Sequence, residues 1–189
     1  MEGPSIEGAR VRLEPIDRPT AERIFRWYED PELVAPYDRY EPEGYLEFES
    51  SLHTASEDPR SLAPRFAIVR KADQVAVGCV GHYLAHPVLE YIDLWYLMGD
   101  PSARGQGLGS EAVELLVSHL FASTSVGRVG ATCDVENIPS SKLLVRIGMR
   151  LEGTMRSALY HHARWHDIYL YGTTREEWAA RAGPAADAG

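Results

Sequence analysis

Apolar positions along the chain change period several times, and each change marks an element. Val11 and Leu13 alternate with Arg10, Arg12 and Glu14, the two-residue repeat of a half-buried strand over 9–16 that Pro15 ends. Ile24 and Trp27 share one side of a helix running to Tyr28, with Thr20 as its expected N-cap. Pro36, Pro42 and Gly44 make a loop, and 45–55 reads as a second, weaker helix. Residues 66–70 and 75–84 are two strands joined by a turn around Ala72-Asp73. Gly78 and Gly81 inside the second strand signal a bulge or the close approach of another backbone.

A β-rich run over 91–98 then stops at Gly99-Asp100-Pro101, and a glycine-alternating turn follows, Arg104-Gly105-Gln106-Gly107-Leu108-Gly109. After it Ala112, Val113, Leu115, Leu116, Val117 and Leu120 recur at helical spacing. Strand, glycine turn and helix together aim several backbone N–H groups at one spot on the helix axis. The helix dipole adds about half a positive charge there, so the turn suits an anion, most often a phosphate. A Cβ would block the close approach, which is why glycine is needed. No Lys-Ser/Thr pair follows the glycines, so this is no P-loop, and G-x-G-x-x-G is absent. Farther on, 128–135 is a strand, and Asn137 and Pro139 open a helix over 140–147 that Gly148 closes at C′.

At 189 residues the chain fits one domain, 1–180, able to bury about 70% of its unfolded surface, with a frayed Ala- and Gly-rich tail over 181–189. Its 44% hydrophobic and 25% charged residues are those of an ordinary globular protein. There is no long apolar run and no signal-peptide pattern, which points to the cytoplasm and away from membranes. Cys79 and Cys133 sit in apolar strand-like runs and read as buried free thiols. The net charge of −9 is concentrated. Residues 29–58 hold ten acids and one base, Arg39, so that segment alone carries −9 and the rest of the chain is balanced. Nucleic acid is therefore not the expected partner, and a cationic small molecule or peptide is, unless the acids are only a solvated face.

The turn R-x-x-G-x-G, with Arg104, Gly107 and Gly109, resembles the signature of the GNAT N-acetyltransferases, which holds the pyrophosphate of acetyl-coenzyme A. Three further stretches resemble the ribosomal-protein alanine N-acetyltransferase branch of that family. Trp27-Tyr28-Glu29-Asp30-Pro31-Glu32-Leu33 is similar to its W-x-x-D-P-E-V, and Asn137 through Gly153 to its N-x-x-S…G-F-x-x-E-G, with Met149 in place of Phe. The closing strands over 151–171, with E-G-x-x-R, Tyr160 and R-W-H-D-I-Y-L-Y, complete the likeness, and 173–180 adds a short helix end. The implied fold is α/β: a mixed, largely antiparallel sheet of about seven strands with a splayed parallel pair, flanked by about four helices.

The resemblance implies site roles residue by residue. The strands over 91–98 and 128–135 are the splayed neighbours whose gap takes the pantetheine arm. Leu97, Met98 and Gly99 give main-chain contacts near the thioester, and a backbone N–H near Met98 meets the oxyanion. The amides of Gly105, Gln106, Gly107, Leu108, Gly109 and Ser110 hold the pyrophosphate, with charge from Arg104. Asn137 contacts the arm, caps its helix, or does both. Asp93 takes the place of the family's acidic core-strand residue and is the candidate base, its carboxyl raised by desolvation if it points inward. Its bland alternative is a surface or hydrogen-bonded aspartate, and Glu90 and His82 are the fallbacks. Leu144 occupies the place where relatives carry a thiolate-protonating Tyr, so that role passes to Ser140, which is otherwise a helix N-terminal residue bonding its own backbone.

Trp27, Tyr37, Glu41, His82 and Tyr160 are the expected acceptor contacts, since the helices around the acidic segment wall the acceptor site in relatives. His161, His162 and His166 lack a Cys or a paired carboxylate nearby in sequence and are expected to serve turn polarity rather than a metal. The implied activity is direct transfer of acetyl from acetyl-coenzyme A to a primary amine, a protein N-terminus or a small molecule such as an antibiotic or polyamine. A non-catalytic acyl-coenzyme A-binding module is the alternative from another class, and a homodimer is compatible with either.

Overall fold

In the computed structural model, residues 5–34, 44–54, 60, 63, 65–86 and 91–181 are described. Tyr37, Glu41, Glu43 and Glu90 lie outside them. The strands are β1 (Ile6–Glu7), β2 (Val11–Glu14), β3 (Phe66–Arg70), β4 (Val75–His86), β5 (Tyr91–Leu97), β6 (Arg128–Asp134), β7 (Arg150–His161) and β8 (Arg164–Thr174). The helices are α1 (Arg18–Tyr28), α2 (Pro31–Val34), α3 (Tyr45–Thr54), α4 (Leu108–Ser123), α5 (Ile138–Arg146) and α6 (Arg175–Arg181). One sheet contains all eight strands in the order β1-β2-β3-β4-β5-β6-β8-β7. Every neighbouring pair is antiparallel except β5 with β6. The expected architecture is present, with the short β1 and the one-turn α2 added to it.

Local chemistry explains the element ends. Helix α1 begins earlier than Thr20. Asp17 is its N-cap and accepts from the Thr20 N–H at 2.9 Å, because Pro19 is tolerated in a first turn where no N–H is needed. Helix α5 is capped by Asn137, whose Oδ1 accepts from the Ser140 N–H at 3.2 Å, and Gly148 ends it with φ of +86°. The β7–β8 hairpin turns through His162 and Ala163, both at positive φ, as a tight two-residue connection demands.

The sheet divides the apolar residues into two cores. On one face α4 and α5 bury Ala112, Val113, Leu116, Leu120 and Leu144 against Val11, Leu13, Ile92, Leu94 and Val129. On the other, α1 and α3 bury Ile24, Phe48 and Leu52 against Ala67, Cys79 and Leu97. Cys79 and Cys133 are free and buried, and desolvation pushes the Cys79 thiol above its ordinary range. Met149, in place of the Phe of similar sequences, is buried in the first core.

Alternation along β5 therefore splits its side chains. Ile92, Leu94 and Tyr96 enter the α4 core, while Asp93, Trp95 and Leu97 face the other way. Two glycines of β4 accommodate that arrangement. A Cβ on Gly81 would overlap the Trp95 indole, and one on Gly78 would overlap the Leu97 carbonyl oxygen. The register between β3 and β4 also shifts at Ile68/Val69, the bulge that Gly78 signalled. Gly78→Ala should lower stability by about 1–3 kcal/mol, the usual range for overpacking against backbone. Urea denaturation checks it, and an unchanged midpoint would show that β5 can move away from β4.

Candidate active site

The parallel pair is held by only three registered partners, Ile92↔Val129, Asp93↔Gly130 and Leu94↔Ala131. Beyond them β5 continues to Leu97 and stays paired with β4, while β6 continues to Asp134 and stays paired with β8. The two strands separate, leaving a slot whose edges carry backbone groups that do not pair across it. Helices α4 and α5 begin just after these strands end, so two helix N-termini face the open mouth of the slot.

The turn leading into α4 has the left-handed glycines expected of an anion cradle. Gly105 has φ of +71° and Gly107, the N-cap, +78°, and no side chain caps the helix. Around Gly107 stand two guanidiniums that the sequence reading did not single out. A Cβ there would lie 3.3 Å from Arg10 and 3.9 Å from Arg146. Arg10 is anchored to the turn by a 2.8 Å bond from its Nη1 to the Gln106 carbonyl, and its Nε donates to Glu111 Oε2 at 3.0 Å. Arg104 donates from Nε to the Met98 carbonyl at 3.1 Å, joining the turn to the end of β5. Gly109 packs on Met98 and Leu143, and Trp27 lies so close on Gly99 that any Cβ there would overlap the indole. Open helix N–H groups, two left-handed glycines and clustered guanidiniums fit a pyrophosphate, and the unpaired slot edges fit an amide-bearing arm.

Asp93 lies at the closed end of the slot on the face away from α4. Its Oδ1 sits over Gly130, where a Cβ would overlap it. An open cavity of about 480 Å³ extends from it, bordered by Tyr91, Arg128, Thr132, Glu152 and Leu170. Burial raises the Asp93 carboxyl above its usual range, Arg128 pulls it back, and Glu152 adds to the rise. Arg128 is itself forked onto Glu152, with Nη1 to Oε1 at 2.6 Å and a second bond from Nη2 to Oε2.

Ser140 reaches the slot from the α4 side. Its hydroxyl is 2.6 Å from the Tyr96 hydroxyl, and it also bonds the Cys133 thiol, which burial keeps protonated. Asp93 and Ser140 thus stand on opposite faces of the sheet, flanking the same slot. Asn137 uses Oδ1 as a helix cap, which leaves its Nδ2 outside that bond.

Two expectations fail on strand alternation. His82 is registered with Leu94 and so faces the α4 core, opposite Asp93. Burial, with Arg65 and His119 nearby, pushes its imidazole down to about 3, so it is neither a base for Asp93's cavity nor an acceptor contact there. Tyr160 pairs with Trp165 near the hairpin tip, rings 5.2 Å apart, and is 54% exposed on the face opposite Asp93. The structure does not bring it to the cavity. Tyr37, Glu41 and Glu90 are outside the described residues. Tyr96 reads in the sequence as one more apolar core position; the need of its hydroxyl for a partner is the signal that marks it out.

A family model described as an acetyltransferase (GNAT) domain matches residues 10–150, and the protein belongs to this family. It is an N-acetyltransferase that uses acetyl-coenzyme A. The chain is similar to the uncharacterized N-acetyltransferase YnaD of Bacillus subtilis, 28% identical over 140 residues covering 74% of this chain and 81% of that one. It is also similar to the ribosomal-protein-serine acetyltransferase of Escherichia coli, 30% identical over 112 residues, 59% of this chain and 61% of the relative. Among solved structures, the spermidine N-acetyltransferase of Vibrio cholerae in complex with CoA and spermine shares the fold with a TM-score of 0.79 at 14% identity, over 91% of this chain and 99% of that one.

The raised carboxyl of Asp93 makes stability depend on pH. An acid whose folded pKa lies above its unfolded value favours the folded state at low pH and loses that contribution as pH rises through the folded pKa. Asp93→Asn should therefore be more stable than wild type at neutral pH, with the gap narrowing as pH falls through the raised folded pKa and closed by about pH 4, the ordinary carboxylate range. Melting curves between pH 4 and 8 decide it; a constant gap would mean that the carboxyl is not desolvated.

Proposed function

We propose that this acetyltransferase acetylates a cationic primary amine presented at the Asp93 cavity, and that the amine is the N-terminus of a protein. The observation that carries the reading is the placement of a desolvated carboxylate at the closed end of the slot, beside an open cavity and opposite Ser140. The name of the Escherichia coli relative supports a ribosomal-protein terminus and that of the Vibrio cholerae structure a polyamine. Both acceptors are amines that are cationic until deprotonated.

Acetyl-coenzyme A supplies a thioester carbon open to attack by a neutral amine. The amides from Gly105 to Ser110, with Arg104, Arg10 and Arg146, hold its pyrophosphate. The backbone of Leu97, Met98 and Gly99 and the Asn137 amide hold its arm. An ammonium entering the cavity must lose a proton, and Asp93, directly or through a water, takes it. A raised carboxyl pKa brings acid and base closer in strength, which eases that transfer. On the other face the Ser140 hydroxyl, 2.6 Å from that of Tyr96, gives a proton to the departing sulfur, and the proton that the attacking nitrogen sheds as the amide forms returns to this hydroxyl pair through water. Trp27 lies on Gly99 at the slot mouth, and the acidic 29–58 segment follows it in the sequence.

The cofactor assignment is tested by thermal shift. Acetyl-coenzyme A should raise the melting temperature of the wild type, as a ligand of the native state must. Gly107→Glu should remove that shift. Its carboxylate would pair with Arg10 and Arg146 where the phosphate belongs, at a strain cost on the order of 1 kcal/mol for a left-handed non-glycine residue. A full shift in the folded variant would overturn the site.

The acceptor assignment is tested with a panel of N-terminal peptides, polyamines and aminoglycosides, followed by free-thiol release. A cationic peptide should be preferred. Asp93→Asn and Ser140→Ala should each lower kcat on it by about 10²–10⁴-fold, the usual yield of general acid–base catalysis, while leaving the coenzyme A thermal shift in place. Replacing Glu41, Glu43 and Glu47 with Gln should raise KM with little change in kcat and flatten the dependence of kcat/KM on salt. A polyamine preferred over every peptide would reassign the acceptor. Parallel salt curves would remove the acidic segment from recognition, and absence of turnover on any amine would favour a binding module.

A further inference from the structure

The β7–β8 hairpin returns two imidazoles to the end of β6, on the slot's outer lip. His161 Nε2 lies 2.6 Å from Asp134 Oδ2, and His166 Nδ1 lies 2.9 Å from the same oxygen and 3.7 Å from Glu136 Oε2. Asp134 is 2% exposed and His166 4%. Only His161 meets Asp134 in hydrogen-bonding geometry; neither ring nitrogen of His166 has a hydrogen-bond partner. The two rings are stacked, centroids 3.7 Å apart and planes inclined by 23°. A buried imidazole with both nitrogens unsatisfied is costly unless something else is meant to meet them. Sequence separation hid this cluster, because the carboxylate lies 27 residues before the first histidine.

We propose that Asp134, His161 and His166 bind a divalent first-row transition metal ion, with Zn²⁺ as the reference ion. Two imidazoles and a carboxylate form a three-ligand set of the kind zinc accepts, with a fourth place left open. Their ligand atoms already lie within 4.8 Å of one another. Glu136 stands near the fourth place, although Arg164 holds its Oε2 at 2.6 Å. His162 completes a second layer, its Nδ1 2.7 Å from Nδ1 of His161, where a ligating histidine needs its other nitrogen oriented.

Two adjustments accompany binding. Ligands on a tetrahedral ion at about 2.1 Å sit about 3.4 Å apart, so both histidines draw back slightly from Asp134. A single ion cannot lie in two stacked ring planes, so His166 turns about its Cβ–Cγ bond. As the ion takes Nε2 of His161, that ring's proton moves to Nδ1, where His162 Nδ1 at 2.7 Å can accept it. No atom of this site is assigned to the acetyl-transfer chemistry, so the site stands or falls apart from the acceptor assignment. Its structural effect is to fasten the β7–β8 hairpin to β6 at the slot.

The test uses the full chain, stripped with chelator, then equilibrated with Zn²⁺ or Co²⁺ and dialysed. We expect one Zn²⁺ per chain by elemental analysis, a raised melting temperature, and visible d–d bands from Co²⁺. His166→Ala and Asp134→Asn should bind at least about tenfold more weakly, since even outer-layer changes typically cost 10–100-fold. His53→Ala, on helix α3 and outside the cluster, should bind as wild type. Because the buried variants could unfold, the wild type is also read by NMR with Co²⁺: paramagnetically shifted ring protons should belong to His161 and His166. Failure of the wild type to retain ion or shift its melting temperature overturns the proposal, as does full affinity in folded His166→Ala. Shifts confined to any of the other five histidines overturn it as well.

Discussion

Everything at the centre of this protein depends on a pairing that stops. β5 and β6 are registered through three residues and then diverge, because each is committed along its full length to its other neighbour, β4 or β8. Unmade hydrogen bonds on two buried strand edges would ordinarily be a liability. Here they leave edges that a ligand with amide groups would fit as if it were a strand. The cores on the two faces hold the strands apart: α4 and α5 on one side, α1 and α3 on the other.

The divergence also solves a problem of access. A residue on one face of a continuous sheet cannot cooperate with a residue on the other. Asp93 and Ser140 do stand on opposite faces, yet both border the slot, so in the proposed mechanism proton removal and proton delivery would be separated by the reacting bond itself. Tyr96 alternates with Asp93 and Trp95 along β5, which is why the same strand reaches both faces.

Much of this was legible before the fold. Period changes located the strands and the two long helices, and the alternating glycines located the anion cradle, because those signals are local. The N-cap of α1 was local too, but it turned on Pro19 being accepted inside the first turn. Two kinds of information were not local. The face of His82 depended on its register with Leu94, which one step of alternation inverts. The Asp134–His161–His166 cluster and the guanidinium pair at Gly107 depended on contacts across the sheet, Arg10 meeting Glu111 across 101 positions. Close-approach glycines were half legible: the sequence marked Gly78 and Gly81, but only the fold identifies Leu97 and Trp95 as what approaches.

The Arg10 contacts have a kinetic side. Arg10 belongs to the lead-in to β2, a strand near the edge of the sheet, and it reaches the cradle through Gln106 and Glu111. Its charge stands beside that of Arg146, and Glu111 pairs with Arg10 at 3.0 Å. A pyrophosphate bound as proposed would thus pull on the N-terminal edge strand as well as on the helix it caps. Local opening of that edge would empty the cradle of one of its cations, so the frequency with which β1 and β2 fray should set a ceiling on how long the cofactor stays bound. Residence time in this domain is then partly a property of its outermost strands, far from the reacting sulfur.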